Sequence, residues 1–491
     1  MSAPAAPFLD LGSFLKFLDS SGRLLRVKAA VDKDTELACI ARWAMESTPR
    51  DQAYGIVFEN IRGFDAPVAV NLFAPHATYA AALGTTTDRL LEHWSNAVAR
   101  PIVPVEVGDA PVHAVVREGD AADVNVLPIP TWTPGRDAGP YLSAGIVITK
   151  DPDAGIQNVA TYRIQVHDGR RLGLFFGSHL QHGAMHVARW TQRGEPTPVA
   201  IAVGAPPAVN FAAAAKTRYG VDEMTIAGGL AGAPIEVVRG RTVDLLVPAR
   251  AECVIEGFIA PGNVAVEGPF GEALGYMNDA APAPVVDVTA VCLREHAIHH
   301  GYVQQLPPSD GHIVMEMGIL GPLWYYLTHG LRLKGLRDLA IAPGSAGVAT
   351  LLVQVERERA NDAASIGRTI AKLNFGQKFI CLFDDDIDLR DPETVNWALS
   401  ARVDPHRDIQ TVDGISTFQL DPSVLARAAA DGRTLDAAPY SSSLAIIDAT
   451  LKRPAPDLSL PTATHMQTAL ARWHELGLPA IIPRPRLQRL L

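Results

Sequence analysis

The chain has 491 residues, a formal net charge of -10, 48% hydrophobic and 20% charged residues, which predicts roughly three folding units with sizeable cores. There is no basic stripe for nucleic acid, no apolar run long enough to span a bilayer, and no secretory leader pattern in the opening MSAPAAPFLDLGSFLKFLD. Cys39, Cys253, Cys292 and Cys381 are far apart and form no CxxC pair, so they read as buried thiols in a reducing compartment, the cytoplasm.

Residues 1–112 predict a mixed α/β domain. Asp10 caps a helix through Phe17 and Leu18 that Gly22 ends. LLRVKAAV reads as a strand, Asp34 precedes a second helix (TELACIARWAME), and GIVFENI and PVAVNLF read as strands. Residues 113–306 predict an antiparallel sheet or barrel, because short β-branched runs alternate with turn residues: AGIVITK, NVATYRIQV, PVAIAVG, IEVVRG, TVDLLVP, ECVIEGFI and VVDVTAVCL. One helical patch, about 181–193, interrupts them. Residues 307–330 read as a linker helix, and 331–491 as a C-terminal α/β domain. There the strand ATLLVQVE, a helix over about 362–374 and the strand FICLF form a parallel unit. Asp391-Pro392 opens a further helix, and THMQTALARWHELGL is an amphipathic tail helix suited to subunit contact or to packing on its own domain.

Four segments hold residues that could carry chemistry. In Glu267-Gly-Pro-Phe-Gly-Glu272 two carboxylates flank a turn. If they meet in a pocket, one is driven toward neutrality and can deliver a proton near pH 7; the spacing equally fits a surface turn with solvated acids. In Asn158-Val-Ala-Thr-Tyr-Arg163, Asn158 and Arg163 fall on opposite faces of a regular strand unless it bends. Ser178-His-Leu-Gln-His-Gly-Ala-Met-His186 holds three histidines, of which His182 and His186 share a helix face; without an HExxH a zincin is not supported. Asp384-Asp-Asp-Ile-Asp388 fits either a divalent cation or an exposed turn. Gly228, Gly229 and Gly232 do not form a dinucleotide fingerprint.

In order along the chain, NVATYRIQV, GSHLQHGAMHVARW, PVAIAVGAPPA, DEMTIAGGLAG, PARAECVIEGFIAPG, EGPFGEALGYM, QKFICLFDDDID and WALSARVDPHRD together resemble the UbiD family of reversible decarboxylases. EGPFGE followed by GY is the most specific piece. The resemblance implies an α/β multidomain fold: a mixed α/β N-terminal domain, a central split β-barrel of the flavin-reductase type, and a C-terminal α/β domain whose last helix serves oligomerisation into a homodimer or homohexamer. It implies prenylated FMN supplied by a UbiX-type flavin prenyltransferase, a divalent metal such as Mn2+, and K+. It places Asn158, His182 and Glu223 as metal ligands, a set suited to a hard or borderline ion. Thr161, Tyr162, Arg163, Gln181 and Lys378 would line the cofactor, and the backbone of Ala212, Ala213 and Ala215 would hold K+. The segment before the helix is about one residue longer than in some relatives, which leaves His179 and His186 as alternatives to His182; His182 is preferred because it follows Gln181.

The same resemblance implies a covalent adduct between the modified flavin and a small-molecule carboxylic acid, loss of CO2, and protonation by Glu272, with Arg163 and Glu267 completing a Glu-Arg-Glu triad. The expected substrate is an aromatic, heteroaromatic or α,β-unsaturated acid, the first two preferred over a polyprenyl hydroxybenzoate. His312, Trp324 and Tyr325 are candidates for reaching it; His312 fits a linker position as well. Three rival readings are an FMN-binding flavin reductase, a non-catalytic subunit of a carboxylase complex, and a metal hydrolase built on the histidines.

Overall fold

A computed structural model describes residues 8–356, 358, 363–416, 421–430 and 441–479. The chain divides into two compact units, Met1–Tyr326 with Gln419–Arg433, and Leu327–Phe418 with Thr434–Leu491.

The first unit opens with the helix Leu11–Ser20. Asp10 Oδ1 accepts from Ser13 N–H at 2.7 Å, satisfying a donor that the helix start leaves free. Gly22, at φ +68°, turns the chain out of it. Leu11, Phe14, Leu15 and Leu18 form its buried stripe. The second helix is Leu37–Ser47. Its entry turn, which Asp34 precedes as expected, is organised by Asp32, whose carboxylate accepts from the N–H groups of Asp34 and Thr35. Strands Leu24–Val27, Gly55–Phe58 and Val68–Val70 form a sheet that His299–Gly301 completes in parallel.

The centre of the unit is a ten-stranded sheet. Its main path runs Tyr141–Leu142, Arg163–Asp168, Arg171–Phe175, Ala281–Leu293, Cys253–Ile259, Thr197–Val203, Ile146–Lys150 and Gln157–Thr161. The strand at one end of this path, Gln157–Thr161, is joined to Arg163–Asp168 near the other end by Tyr162 alone. One residue spans that gap only if the sheet curls back on itself, which gives a half-barrel. Inward side chains such as Leu142, Val147, Ile164, Leu174, Ile201, Ile255 and Val286 fill it. The expected strands form with two departures: NVATYRIQV is broken at Tyr162, and IEVVRG and TVDLLVP pair with Val105–Glu106 in a separate three-stranded sheet; the helical patch is His182–Gln192. Two further helices, Pro207–Ala212 and Glu223–Ala231, occur where only strands were expected. Both are short and largely buried, so they lack the polar face that makes helical periodicity visible.

In the second unit Thr350–Val355, Phe379–Asp384 and Ser441–Asp448 run parallel, flanked by antiparallel Leu336–Ile341 and Ile409–Ser416. The helix Ala363–Ala371 connects the first two parallel strands. Asp391 caps Pro392–Arg402 by accepting from Glu393 N–H at 3.1 Å. The acidic run is neither an exposed turn nor a set of acids awaiting a cation. Asp384 and Asp386 are buried and share Arg402, with Nη2–Oδ2 of Asp386 at 2.7 Å and Nη1–Oδ2 of Asp384 at 3.1 Å. The tail helix Ala463–Ala471 has no buried residue. Of the four cysteines, Cys39 is exposed, contrary to expectation, and the others are buried without disulfides. No helix among the described residues is long and apolar enough to cross a membrane.

Candidate active site

The break at Tyr162 decides the geometry. Asn158 stays on one strand while Arg163 heads the next, so the two are freed from the strict alternation that would send them to opposite faces. Thr161 N–H donates to Ala213 O at 2.9 Å and Tyr162 N–H to Gly145 O at 3.4 Å, pinning the break from two sides.

Arg163 meets both carboxylates of the EGPFGE turn. Its Nη2 lies 2.6 Å from Glu267 Oε2, and its Nη1 bonds Glu272 Oε1. The guanidinium carbon sits 3.9 Å over the Phe175 ring and 5.7 Å from that of Phe270. The turn is itself anchored: Gly268, at φ +89°, donates its N–H to Tyr141 Oη (3.1 Å) and Gln165 Oε1 (3.0 Å), and Phe270 stacks on Tyr141 at 3.9 Å. Glu267 is fully buried and Glu272 nearly so. Burial pushes the Glu272 carboxyl up to about 7; the Arg163 charge pulls it down and Glu267 pushes it up again. Burial opposes the Arg163 charge, but the two carboxylates outweigh it and raise its pKa. Burial, reinforced by Glu267, keeps the Tyr141 phenol protonated. The cluster therefore holds one permanent cation, one acid poised near neutrality, and aromatic walls.

A second group gathers around Tyr162. Glu223, at the first position of its helix, is 2% exposed. Its Oε2 accepts from Val159 N–H and its Oε1 from Thr217 Oγ1, both at 2.8 Å. Burial raises it to about 7, against the hydrogen bonds from Val159 and Thr217 that lower it. Asn158 is buried beside the Tyr162 hydroxyl, and its Nδ2 has no partner of full hydrogen-bond geometry among the described residues; amide N and O are interchangeable assignments, so either end can face a ligand. His182 opens the helix His182–Gln192, half-buried, with Tyr219 edge-on at 5.2 Å, and burial lowers its pKa, leaving it neutral and able to ligate. The Tyr162 ring joins these parts: it faces Gly183, next to His182, and feels the Glu223 charge. His186 is committed elsewhere, its Nδ1 2.9 Å from Thr149 Oγ1, and burial lowers it to about 4. His179 lies exposed in the preceding turn.

The remaining candidates are placed as follows. Gln181 is exposed just before the helix, and the buried Thr161 Oγ1 has no hydrogen-bond partner among the described residues. The Ala212 and Ala213 carbonyls accept from Ala215 N–H (3.0 Å) and Thr161 N–H (2.9 Å). Lys378 belongs to the second unit, where its N–H bonds Ala349 O at 2.8 Å. His312 is buried, and both its ring nitrogens are engaged: Nδ1 with Ser309 Oγ and Nε2 with Ala273 O, each at 2.8 Å. It thus braces the residue after Glu272. Tyr141, Gln165 and Phe175 were not anticipated; only Phe270, inside the EGPFGE motif, carried a signal.

Three family models match in sequence: the 3-octaprenyl-4-hydroxybenzoate carboxy-lyase N-terminal domain over residues 15–98, the Rift-related domain over 103–307, and the C-terminal domain over 324–448. The chain belongs to the UbiD family. An uncharacterized protein of Archaeoglobus fulgidus is 31% identical over 84% of this chain and 88% of its own. The structure of an evolved dimeric form of the UbiD-class enzyme HmfF from Pelotomaculum thermopropionicum, in complex with prFMN, matches with TM-score 0.79 and 31% identity, covering 92% of this chain and 97% of that one. Vanillic acid decarboxylase of Sedimentibacter hydroxybenzoicus, in a closed form, matches with TM-score 0.83 and 25% identity over 97% of this chain and all of that one. This UbiD protein is accordingly a carboxy-lyase, with the mixed α/β multidomain fold of that class.

Proposed function

We propose that the protein catalyses reversible, non-oxidative decarboxylation of an aromatic, heteroaromatic or α,β-unsaturated carboxylic acid, using prenylated FMN, with Arg163, Glu267 and Glu272 handling the substrate and the proton. The observation that carries this reading is the buried Glu267–Arg163–Glu272 cluster with Glu272 raised to about 7.

Loss of CO2 from an sp2 carbon leaves a carbanion that no side chain can delocalise, and bound prenylated FMN supplies the electron sink. The protein supplies charge, orientation and protons. Arg163 is locked by two carboxylates and the Phe175 face, so it binds an incoming carboxylate without reorganising. Glu267, fully buried, balances the guanidinium. Glu272 Oε1 is held by Arg163, so the proton it carries resides on Oε2, from which it is delivered to the carbon that lost CO2. The half-buried Phe175 ring beside Arg163 would suit a flat, aromatic or heteroaromatic acid.

For the metal, the residues fit: a buried amide, a buried carboxylate raised by burial, and a neutral histidine, all near Tyr162. Asn158, His182 and Glu223 would hold Mn2+ or a similar ion and through it the flavin phosphate, while Thr161, Tyr162, Arg163 and Gln181 would line the cofactor. The engagement of His186 and the exposure of His179 favour His182. The carbonyls of Ala212, Ala213 and Ala215 remain the proposed K+ ligands; those that already accept one N–H keep a second lone pair. A UbiX-type prenyltransferase would provide the flavin, and the exposed tail helix would pair subunits into a homodimer or homohexamer.

The test is to produce the protein with a flavin prenyltransferase and to compare it with Asn158→Ala and Glu223→Ala. Both variants are expected to lose metal and flavin together, and only the loaded wild type releases CO2 from a panel of aromatic and acrylic acids. Normal flavin in either variant would remove the ligand assignment, and ordinary FMN with NADH oxidation would favour a reductase.

A further inference from the structure

We propose that His113, Glu256 and Cys292 form a second divalent-metal site, for zinc or an ion of the same borderline-soft class, separate from the Asn158–His182–Glu223 group. Three chain segments distant in sequence build it. Glu256 lies on Cys253–Ile259 and Cys292 on the neighbouring antiparallel strand Ala281–Leu293, where Glu256 pairs with Ala290 and Val254 with Cys292. Glu256 and Cys292 are therefore diagonal neighbours on one face, with Sγ 4.0 Å from Oε1. The strand Val115–Glu118 flanks the other edge of Ala281–Leu293, pairing Val116 with Cys292, and His113 ends the turn that leads into it. One ligand atom from each of the three lies within 4.8 Å of the other two.

Each residue is prepared for the role. Glu256 is fully buried and immobilised: Oε1 accepts from Arg241 N–H at 2.8 Å, and Oε2 from Thr242 N–H at 2.6 Å and Thr242 Oγ1 at 2.9 Å. Oε2 has both lone pairs taken, so Oε1, the oxygen that faces Cys292, is the one left to ligate. His113 is half-buried, yet its Nε2 is a buried atom with no hydrogen-bond partner among the described residues. Burial lowers the His113 pKa, so the imidazole is neutral. Cys292 is fully buried, and its Sγ lies no nearer than 4.0 Å to Glu256 Oε1.

The donor set selects the ion. One thiolate, one imidazole and one carboxylate suit Zn2+ or Co2+, whereas Mg2+ and Mn2+ prefer oxygen. Zinc bonds of about 2.0–2.3 Å imply about 3.5 Å between ligand atoms. The widest spacing must therefore close by about 1 Å, and His113, on a turn and least buried, is the residue that moves. Three protein ligands leave a fourth position for water or for Glu118, whose charge bears on both His113 and Cys292. Two features oppose the ion. Burial pushes the Cys292 thiol up to about 12, so its proton must be displaced. The Arg241 guanidinium is near, although it is paired with Glu118 at 3.0 Å. Bound metal would tie the segment entering the barrel to two of its strands.

Titrating the full-length protein with Co2+ tests this. Thiolate-to-cobalt charge transfer in the near ultraviolet reports a Cys–Co bond, and Asn158, His182 and Glu223 contain no sulfur to produce it. The band is expected in the wild type, and in Asn158→Ala, whose other metal group is impaired, it should saturate at one equivalent. It should persist in Asn158→Ala and vanish in Cys292→Ser and in His113→Gln, the latter on a half-buried turn and the safer variant to fold. No band in the wild type overturns the site, as does a band that survives His113→Gln or Cys292→Ser, which would point to another thiol such as the exposed Cys39.

Discussion

At the scale of single residues, Arg163 matters because it meets two acids rather than one. Glu267 and Glu272 pull on different nitrogens of the same guanidinium, and the Glu267 charge bears on the proton affinity of Glu272. The Glu272 acid form is present below its pKa of about 7 and is lost as pH rises through that value. Decarboxylation limited by proton delivery should therefore fall on the alkaline side with an apparent pKa near 7. Glu267→Gln removes the charge that raises Glu272 and leaves Arg163 to stabilise its anion. We expect the alkaline limb to move to lower pH, by about 1 unit. A limb that stays in place would show that the two carboxylates do not share Arg163 during turnover. This cluster was only half legible in the sequence. The EGPFGE turn announces two acids at a fixed spacing, but their meeting with Arg163 depends on a strand break at Tyr162, and no local pattern marks that break. Tyr141 and Phe175 carried no signal, since buried aromatics on strands are indistinguishable from ordinary core.

Among secondary-structure elements, the helix Glu223–Ala231 shows how a buried segment can evade periodicity. Apolar and small on most faces, it offers no polar stripe to read, and its glycine pair resembles a failed nucleotide motif. The structure gives those glycines another purpose. A Cβ on Gly228 would come within 2.4 Å of Ile102 O, and one on Gly229 within 2.7 Å of Ala97 O, at the end of the helix Leu90–Ala99. Close approach of backbones fixes the helix that carries Glu223. Gly229→Ala should destabilise the protein by about 1–3 kcal/mol through overpacking. By displacing Glu223 it should also weaken metal binding by about 10- to 100-fold. Both are read by thermal melting and metal titration of one preparation. Unchanged metal affinity alongside lowered stability would detach this helix from the site. The strands were easier to read, because alternation and β-branching survive burial on one face, and the barrel and the parallel C-terminal unit were anticipated from them.

For the whole molecule, the two units rest on different polar devices. In the second, Arg402 is buried between Asp384 and Asp386, with its side chain 3% exposed. In sequence the acidic run looks like a solvated turn, because the arginine that pairs with it follows 14 residues after the last acid of the run and arrives at the end of the helix Pro392–Arg402. Arg402→Met removes a buried cation from between two buried carboxylates and should cost about 3–5 kcal/mol, seen as a lower melting temperature. Adding Asp384→Asn and Asp386→Asn should recover much of the loss. Equal melting of Arg402→Met and wild type would mean that water already solvates these acids.

The central claim is that Glu272 supplies the proton in a flavin-dependent decarboxylase. The most direct measurement is CO2 release by Glu272→Gln produced with a flavin prenyltransferase, with flavin absorbance and metal content recorded on the same sample. We predict wild-type flavin and metal, an unchanged melting profile, and turnover reduced by at least about 100-fold. Near-full turnover with the cofactor bound would contradict the account and pass the proton to another group.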